Sequence, residues 1–176
     1  MSWFFCAICI EGNDTLHLYE NALQTILFAG GKGKNMKYII LVSHGGFAAG
    51  LKSSLEMFAG KRNDLIASGL PDGKSAEEFG QIFAKDIECV KPDDGIVLLA
   101  DIIGGSPLTT ALNVLSGKGL LKNTIVFGGM NLPMAITTAL MKDNMSNEEL
   151  AKQILHEGSE AMKQFEISQS DEDEDI

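Results

Sequence analysis

Short apolar runs alternate with helical stripes along the chain from Met36 onward. Four such runs predict strands, and glycine, proline or charged residues separate each run from the segment that follows it. A run with almost no polar position is typical of a strand that is buried on both faces, as in a parallel sheet. The predicted strands are 37–43, 64–70, 95–101 and 123–129.

Apolar stripes mark the first two predicted helices. The first stripe has spacings of four, four and three residues and stops at Gly60. Its members are Phe47, Leu51, Leu55 and Phe58. The second helix, over 75–90, opens with Ser75 and Glu78 at the spacing of a capping box. Its apolar face consists of Phe79, Ile82, Phe83 and Ile87.

The remaining three helices are predicted mainly from the residues at their N-termini. Ser106 is expected to cap a helix over 106–116, with Pro107 in the first helical position, where a missing N–H costs nothing. Another helix is predicted over 133–143. The last helix is amphipathic and begins at a second capping box. The box and the apolar positions are Ser146, Glu149, Leu150, Ile154, Met162 and Phe165.

Strands that alternate with helices predict right-handed crossovers and a mainly parallel sheet. We therefore expect a single three-layer α/β domain with helices on both faces of the sheet and strand order 2-1-3-4. Sites in such sheets lie outside the carboxyl ends of the strands, where the strand order reverses. Because strands one and three are neighbours in this order, His44 and Asp101 are predicted to come within hydrogen-bond reach.

The net charge of −10 argues against a nucleic-acid partner and against direct binding to an anionic membrane. No apolar run reaches 18 residues, so a membrane-spanning helix is not expected. Residues 166–176 carry six acidic and no basic side chains. We interpret them as a solvated, disordered tail.

The first 35 residues are interpreted as an N-terminal extension that precedes the domain at 36–165. The codons commonly used for GGKGKN, just before Met36, are purine-rich like a ribosome-binding site, so we expect Met36 to be the natural start. Cys6 and Cys9 form a CxxC pair, but it lies outside any βαβ unit, which argues against a redox or zinc role. The odd total of three cysteines favours a reducing compartment.

His44 has a definite chemistry available at its strand end. A neutral imidazole is a nucleophile near pH 7, and a carboxylate such as Asp101 can fix its tautomer. Glycines let a phosphoryl donor approach the backbone, and helix N-termini attract phosphate oxygens. The candidate phosphate-binding residues are Gly45, Gly46, Gly105 and Ser106. The competing interpretation is that His44 only forms a structural hydrogen bond at the end of its strand.

The sequence comes close to two other catalytic motifs but lacks essential residues of each. The segment SGLPDGKS (68–75) nearly matches a phosphate-binding P-loop, but Ser68 replaces the first glycine and Pro71 removes a backbone N–H. A serine hydrolase built on Ser106 would need a nucleophile elbow, which GGSP is not.

Three segments together resemble the signature segments of the mannose-class EIIA proteins of the phosphoenolpyruvate-dependent sugar phosphotransferase system. They are SHGGFAAGL around His44, LLADIIGGSPLTTAL around Asp101 and GGMNLPMA around Asn131. The resemblance covers roughly residues 36–165. It implies a phosphohistidine carrier in which His44 is phosphorylated, Asp101 orients it and Ser106 lies on the phosphate side.

The resemblance also implies partners and a location. HPr would donate the phosphoryl group and EIIB would accept it, while membrane EIIC and EIID subunits carry the sugar. Members are cytoplasmic homodimers, some with a strand exchanged between subunits. They need no metal or cofactor. Contact with the membrane surface through the transporter complex is left as an open alternative. Because this chain ends after the acidic tail, we expect EIIB to be a separate chain. The alternatives are a phosphoryl-relay subunit of a dihydroxyacetone kinase and a non-catalytic ligand-binding module of flavodoxin-like fold.

Overall fold

A computed structural model describes residues 35–165. The chain divides into two units, 1–35 and 36–176, and the description below concerns the second. The predictions on the extension, its CxxC pair and the acidic tail fall on residues 1–34 and 166–176, outside the described part.

Four parallel strands form one sheet with the order β2-β1-β3-β4, as the sequence predicted. They are β1 (Lys37–His44), β2 (Leu65–Leu70), β3 (Gly95–Ala100) and β4 (Thr124–Phe127). The strand order reverses between β1 and β3. Both strands have neighbours on each side, so their carboxyl ends are held by hydrogen bonds within the sheet.

The helices follow the strands in alternation until the last two, which are consecutive. They are α1 (Phe47–Ala59), α2 (Ala76–Asp86), α3 (Ser106–Gly117), α4 (Leu132–Met141) and α5 (Asn147–Glu160), with a short 3-10 turn at Leu121–Asn123 before β4. The predicted capping boxes are present at Ser75 with Glu78 and at Ser146 with Glu149.

The sheet buries both faces, which explains the continuous apolar runs of its strands. Side chains alternate along β1, so that Ile39 and Leu41 face one apolar cluster while Ile40 and Val42 face the other. The first cluster is covered by α1, α4 and α5, and the second by α2 and α3. The fold is therefore the predicted three-layer α/β architecture.

The buried face of α1 is rotated from its predicted position. Ala48, Leu51 and Leu55 are buried, whereas Phe47 and Phe58 are 48% and 66% exposed. Ala48 and Leu55 lie on one helical face, and the two phenylalanines lie together at one edge of that face. The small Ala48 allows α1 to approach the sheet closely, which a stripe of large residues did not reveal.

Helix α5 is shorter than predicted. It ends at Glu160, so Met162 and Phe165 follow it and are 74% and 87% exposed. Helix α2 likewise ends at Asp86 rather than at residue 90, and its Ile82 is 37% exposed. Past the end of α2, Ile87 and Val90 are still buried in the second apolar cluster, whereas no described residue buries Met162 and Phe165 after α5.

Candidate active site

His44 and Asp101 meet at the carboxyl edge of the sheet. His44 is the last residue of β1, and Asp101 directly follows β3, which is paired with β1. The Nδ1 atom of His44 lies 2.9 Å from Oδ2 of Asp101. The contact expected from the strand order is therefore present.

Asp101 accepts three hydrogen bonds. Oδ2 accepts from the backbone N–H of His44 at 2.8 Å and from its ring, and Oδ1 accepts from the Ile102 N–H at 2.8 Å. Burial alone would raise the pKa of Asp101, but the hydrogen bonds from His44 and Ile102 outweigh it and hold this pKa below its ordinary value. The group is therefore an ionised carboxylate at neutral pH.

The carboxylate determines the tautomer of the neutral His44 ring. An ionised carboxylate only accepts hydrogen bonds, so Nδ1 must carry the ring proton and Nε2 must carry the free lone pair. The His44 side chain is 46% exposed, against 14% for Asp101. The site therefore presents a partly accessible nucleophilic nitrogen on a ring that is fixed from its other side.

The turn from β1 into α1 requires glycine at position 45. Gly45 has φ +52°, and its N–H donates to the Leu70 carbonyl of β2 at 2.8 Å. A side chain on Gly69 of β2 would overlap the Gly45 carbonyl oxygen. Gly46 caps the start of α1, and a Cβ there would meet nothing within 4 Å.

Ser43 fixes the start of α1 relative to His44. Its buried hydroxyl accepts a hydrogen bond from the Ala48 N–H at 2.8 Å. Sequence reasoning missed this residue, although a serine at a strand end, just before a glycine turn and a helix, is a usable signal for such a contact.

Gly105 and Ser106 lie on the other side of the site, where α3 begins. A Cβ at position 105 would lie only 3.0 Å from Cε1 of His44, so the ring needs a glycine beside it. Gly105, not Ser106, is the N-cap of α3, and no side chain caps this helix. The predicted capping role of Ser106 is wrong because α3 begins one residue earlier than Pro107 indicated, which leaves the exposed Ser106 hydroxyl outside the cap.

A cleft of about 390 Å³ opens beside His44. Its walls are His44, Gly45 and the connection from Leu70 to Lys74, which links β2 to α2. This connection is the P-loop-like segment of the sequence, and it reaches the site because β2 is the neighbour of β1. Lys74 forms an exposed ion pair with Glu78 at 2.6 Å.

Asn131, at the centre of the third signature segment, has a structural role. Its Oδ1 accepts from the Met134 N–H at 3.0 Å and caps α4, and its amide donates to the Gly158 carbonyl of α5 at 3.1 Å.

Within residues 35–165, no group of three or more His, Cys, Asp or Glu side chains is arranged to hold a metal ion. In the same range, every helix is too short or too polar to cross a membrane.

Residues 38–155 match a family model named EIIA-man and described as the fructose IIA component of the PTS, the sugar phosphotransferase system. The match spans the whole sheet and both sides of the site. The chain belongs to this EIIA family. EIIA proteins are phosphotransferase components, so the family supports a role as a phosphoryl carrier in sugar transport.

Individual relatives agree with this EIIA assignment. The chain is 23% identical over 112 residues to the fructose-specific EIIA component of Bacillus subtilis, covering 64% of this chain and 75% of the relative. It is 26% identical over 126 residues to the mannose-specific EIIAB component of Escherichia coli K12, covering 71% of this chain. The match spans only 38% of that longer relative.

A solved EIIA structure has the same fold. It is the phosphotransferase component EIIA from Streptococcus agalactiae, with 25% identity and a TM-score of 0.63. The alignment covers 73% of this chain and 97% of that one. The EIIA domain thus accounts for most of the described residues.

Proposed function

We propose that the protein accepts a phosphoryl group from HPr on Nε2 of His44 and passes it to an EIIB subunit during sugar uptake. The observation that carries the proposal is the hydrogen bond between His44 Nδ1 and Asp101 Oδ2, at 2.9 Å. It leaves one ring nitrogen free to react and stabilises the positive charge that the ring develops.

The transfer balances without a proton from solvent. The Nε2 lone pair attacks phosphorus of the donor's phosphohistidine, an N–P bond forms, the donor's N–P bond breaks and its imidazole leaves with the bonding electron pair. The His44 ring gains positive charge while Nδ1 keeps its proton, and the Asp101 carboxylate lies against that charge. Passing the group to EIIB reverses these steps, so catalysis consists of positioning and electrostatics.

The starts of α1 and α3 support binding of the phosphoryl oxygens. Both helices begin next to His44, and helix N-termini offer free N–H groups and a partial positive charge. We assign this role to Gly46 and the Ser106 hydroxyl, and to Gly45 and Gly105 as positions without a side chain, because the N–H groups of these two glycines already donate to the Leu70 and Ile102 carbonyls. A Cβ at position 45 or 46 would meet nothing within 4 Å, so both positions border open space next to His44.

The assembly we propose around the carrier follows the family. EIIB accepts the phosphoryl group, EIIC and EIID carry the sugar through the membrane, and the carrier works in the cytoplasm as a homodimer. The domain limits remain 36–165, between an N-terminal extension and an acidic tail. Transfer from one histidine to another requires no metal and no cofactor.

Reconstitution tests the proposal directly. The full chain is incubated with phosphoenolpyruvate, enzyme I and HPr, and intact mass is measured before and after treatment with acid or base. We expect a mass gain of one phosphate that is lost in acid and kept in base, as for a phosphohistidine. Omitting HPr is the control. Absence of the mass gain in the complete mixture would overturn the proposal and favour the non-catalytic module.

A further inference from the structure

The lysine of the P-loop-like segment lines the cleft beside the reactive histidine. Lys74 belongs to the connection from β2 to α2, and the cleft of about 390 Å³ has both His44 and Lys74 in its walls. Of the described residues that line this cleft, Lys74 alone has a cationic side chain, while Asp72 is a carboxylate. A phosphoryl group on His44 would carry close to two negative charges. It would therefore meet one attractive and one repulsive charge in the cleft.

The backbone that carries Lys74 is anchored to the site. The Lys74 N–H donates to the Pro71 carbonyl at 3.2 Å and so closes a turn. The Leu70 carbonyl, just before this turn, accepts from the Gly45 N–H at 2.8 Å, and Gly45 directly follows His44. These two hydrogen bonds fix the backbone of Lys74 relative to the histidine. The part that is free to move is the flexible four-carbon stem with its ammonium group.

Lys74 is paired with Glu78 in the unphosphorylated protein. Its Nζ lies 2.6 Å from Oε1 of Glu78, and the two side chains are 48% and 47% exposed. Glu78 is held independently of the lysine, because its Oε2 accepts from the Ser75 N–H at 2.9 Å and its own N–H donates to the Ser75 hydroxyl at 3.2 Å. An ion pair this exposed contributes little stability. Lys74 can therefore leave Glu78 at a small free-energy cost, with α2 still capped.

We propose that Lys74 binds the phosphoryl group of phosphorylated His44, and that its Nζ exchanges the Glu78 carboxylate for phosphoryl oxygens when the group arrives. This inference rests on the proposed function and adds a phosphoryl-binding residue to it. Because the start of α2 repels a cation, Lys74 needs an anion in both forms of the protein. The phosphoryl group carries nearly twice the charge of Glu78, and its oxygens accept charge-assisted hydrogen bonds. The exchange moves no proton and forms no covalent bond.

The equilibrium of phosphoryl transfer measures this contact apart from any docking. The equilibrium constant between phosphorylated HPr and the protein depends only on the separate phosphorylated and unphosphorylated forms, so a residue that merely contacts HPr cannot change it. We expect Lys74→Gln to lower this constant about fivefold and Lys74→Arg to retain most of it, measured by intact mass in dilute buffer. Lys85→Gln removes the same charge in the last turn of α2 and should leave the constant unchanged.

Glu78→Gln tests the exchange itself. Glutamine can replace glutamate in a capping box, so α2 stays capped while Lys74 loses its ion-pair partner. The equilibrium constant should then rise about twofold, because Lys74 no longer has to leave an anion. Glu77→Gln removes the same charge from the preceding, exposed position and should raise the constant less. Gains of equal size in the two glutamate variants would overturn the exchange.

Phosphorus NMR reports the contact directly. A cation beside the phosphoryl group favours its dianion, so the pH midpoint of the ³¹P signal of phosphorylated His44 should lie higher in Lys74→Gln than in the unmodified protein. An unchanged midpoint, or one equilibrium constant shared by Lys74→Gln and Lys85→Gln, would overturn the inference. Failure of the unmodified protein to accept phosphate from phosphorylated HPr would instead remove the proposed function, so the two failures are distinguishable.

Discussion

A single carboxylate oxygen of Asp101 accepts two hydrogen bonds from His44. Its Oδ2 lies 2.8 Å from the backbone nitrogen and 2.9 Å from Nδ1 of the ring. One atom therefore fixes both the end of β1 and the orientation of the side chain that β1 presents. Changing this oxygen is expected to affect the reactivity of the ring more than the fold.

Asp101→Asn should slow phosphoryl transfer on the order of 10- to 100-fold, as loss of an orienting partner does for metal-bound histidines. The amide can accept from only one side. Its NH₂ group must face either the Ile102 N–H or the two donors of His44, and the negative charge is lost. Rapid-quench measurement of transfer from phosphorylated HPr checks this, with the exposed Asp93→Asn as control. An unchanged rate would show that the carboxylate does not assist transfer.

His44→Ala should abolish phosphoryl acceptance and leave the fold intact. The side chain is 46% exposed and contributes little to the core, so the thermal midpoint should stay close to that of the unmodified protein. Intact-mass measurement after incubation with phosphoenolpyruvate, enzyme I and HPr gives the readout. The exposed His156→Ala is the control and should accept phosphate normally. Phosphate on the His44→Ala protein would place the acceptor elsewhere.

Gly105→Ala should slow transfer with little loss of stability. Its backbone, at φ −66° and ψ 155°, suits alanine, so the only cost is the Cβ, 3.0 Å from Cε1 of His44. The ring must then shift away from its hydrogen bond to Asp101. Gly117→Ala, at the other end of α3 with nothing within 4 Å of its Cβ, should transfer at the normal rate. Equal rates in the two variants would mean that the ring position tolerates the added methyl group.

Asp64→Asn should destabilise the protein by about 3 kcal/mol, because it removes a charge partner from a buried lysine. Asp64 bonds Arg62 at 2.7 Å and Lys142 at 2.8 Å, and the Lys142 side chain is only 2% exposed. Urea unfolding at neutral pH gives the free energy, with Asp93→Asn as the control. A loss no larger than that of the control would show that Asp143 alone neutralises Lys142.

Lowering the pH should reduce the free energy of unfolding through protonation of Asp64. Burial raises the pKa of Asp64, but hydrogen bonds from Arg62 and Lys142 prevail and lower it to about 2. A depressed folded-state pKa adds stability above the unfolded value near 3.8, and this stability disappears as pH falls towards 2. We expect about 2 kcal/mol to be lost over this window. The loss should be missing from the pH profile of Asp64→Asn.

A chain that begins at Met36 should keep both phosphoryl acceptance and thermal stability. The family match begins at residue 38, and within residues 35–165 the two apolar clusters that cover the sheet use side chains from Tyr38 onward. Comparing the shortened and full chains by calorimetry and by the reconstitution assay tests this. A clear drop in either quantity would mean that the first 35 residues stabilise the domain.

The sheet and the contact between His44 and Asp101 were predictable because they depend on periodicity and on a topological rule. The role of Ser106 was not, because it depends on where α3 begins within one residue, and the buried face of α1 was not, because the small Ala48 rather than the large Phe47 packs against the sheet. The P-loop-like segment was dismissed on its motif alone. Its place beside His44 follows from the pairing of β1 with β2, which the predicted strand order already implied, whereas the motif comparison considered only its fit to a nucleotide-binding loop.

The position of β1 between two strands affects how partners can distinguish the two forms of the carrier. Its end is held on both sides, by the Gly45 N–H on the Leu70 carbonyl and by the Asp101 N–H on the Val42 carbonyl. A backbone clamped in this way has little freedom to rearrange when the ring gains a phosphoryl group. The forms with phosphorylated and unphosphorylated His44 would then share one backbone conformation and differ in charge. A partner that binds one form more tightly must therefore recognise the difference in electrostatic potential at the site. Such discrimination weakens as ionic strength rises.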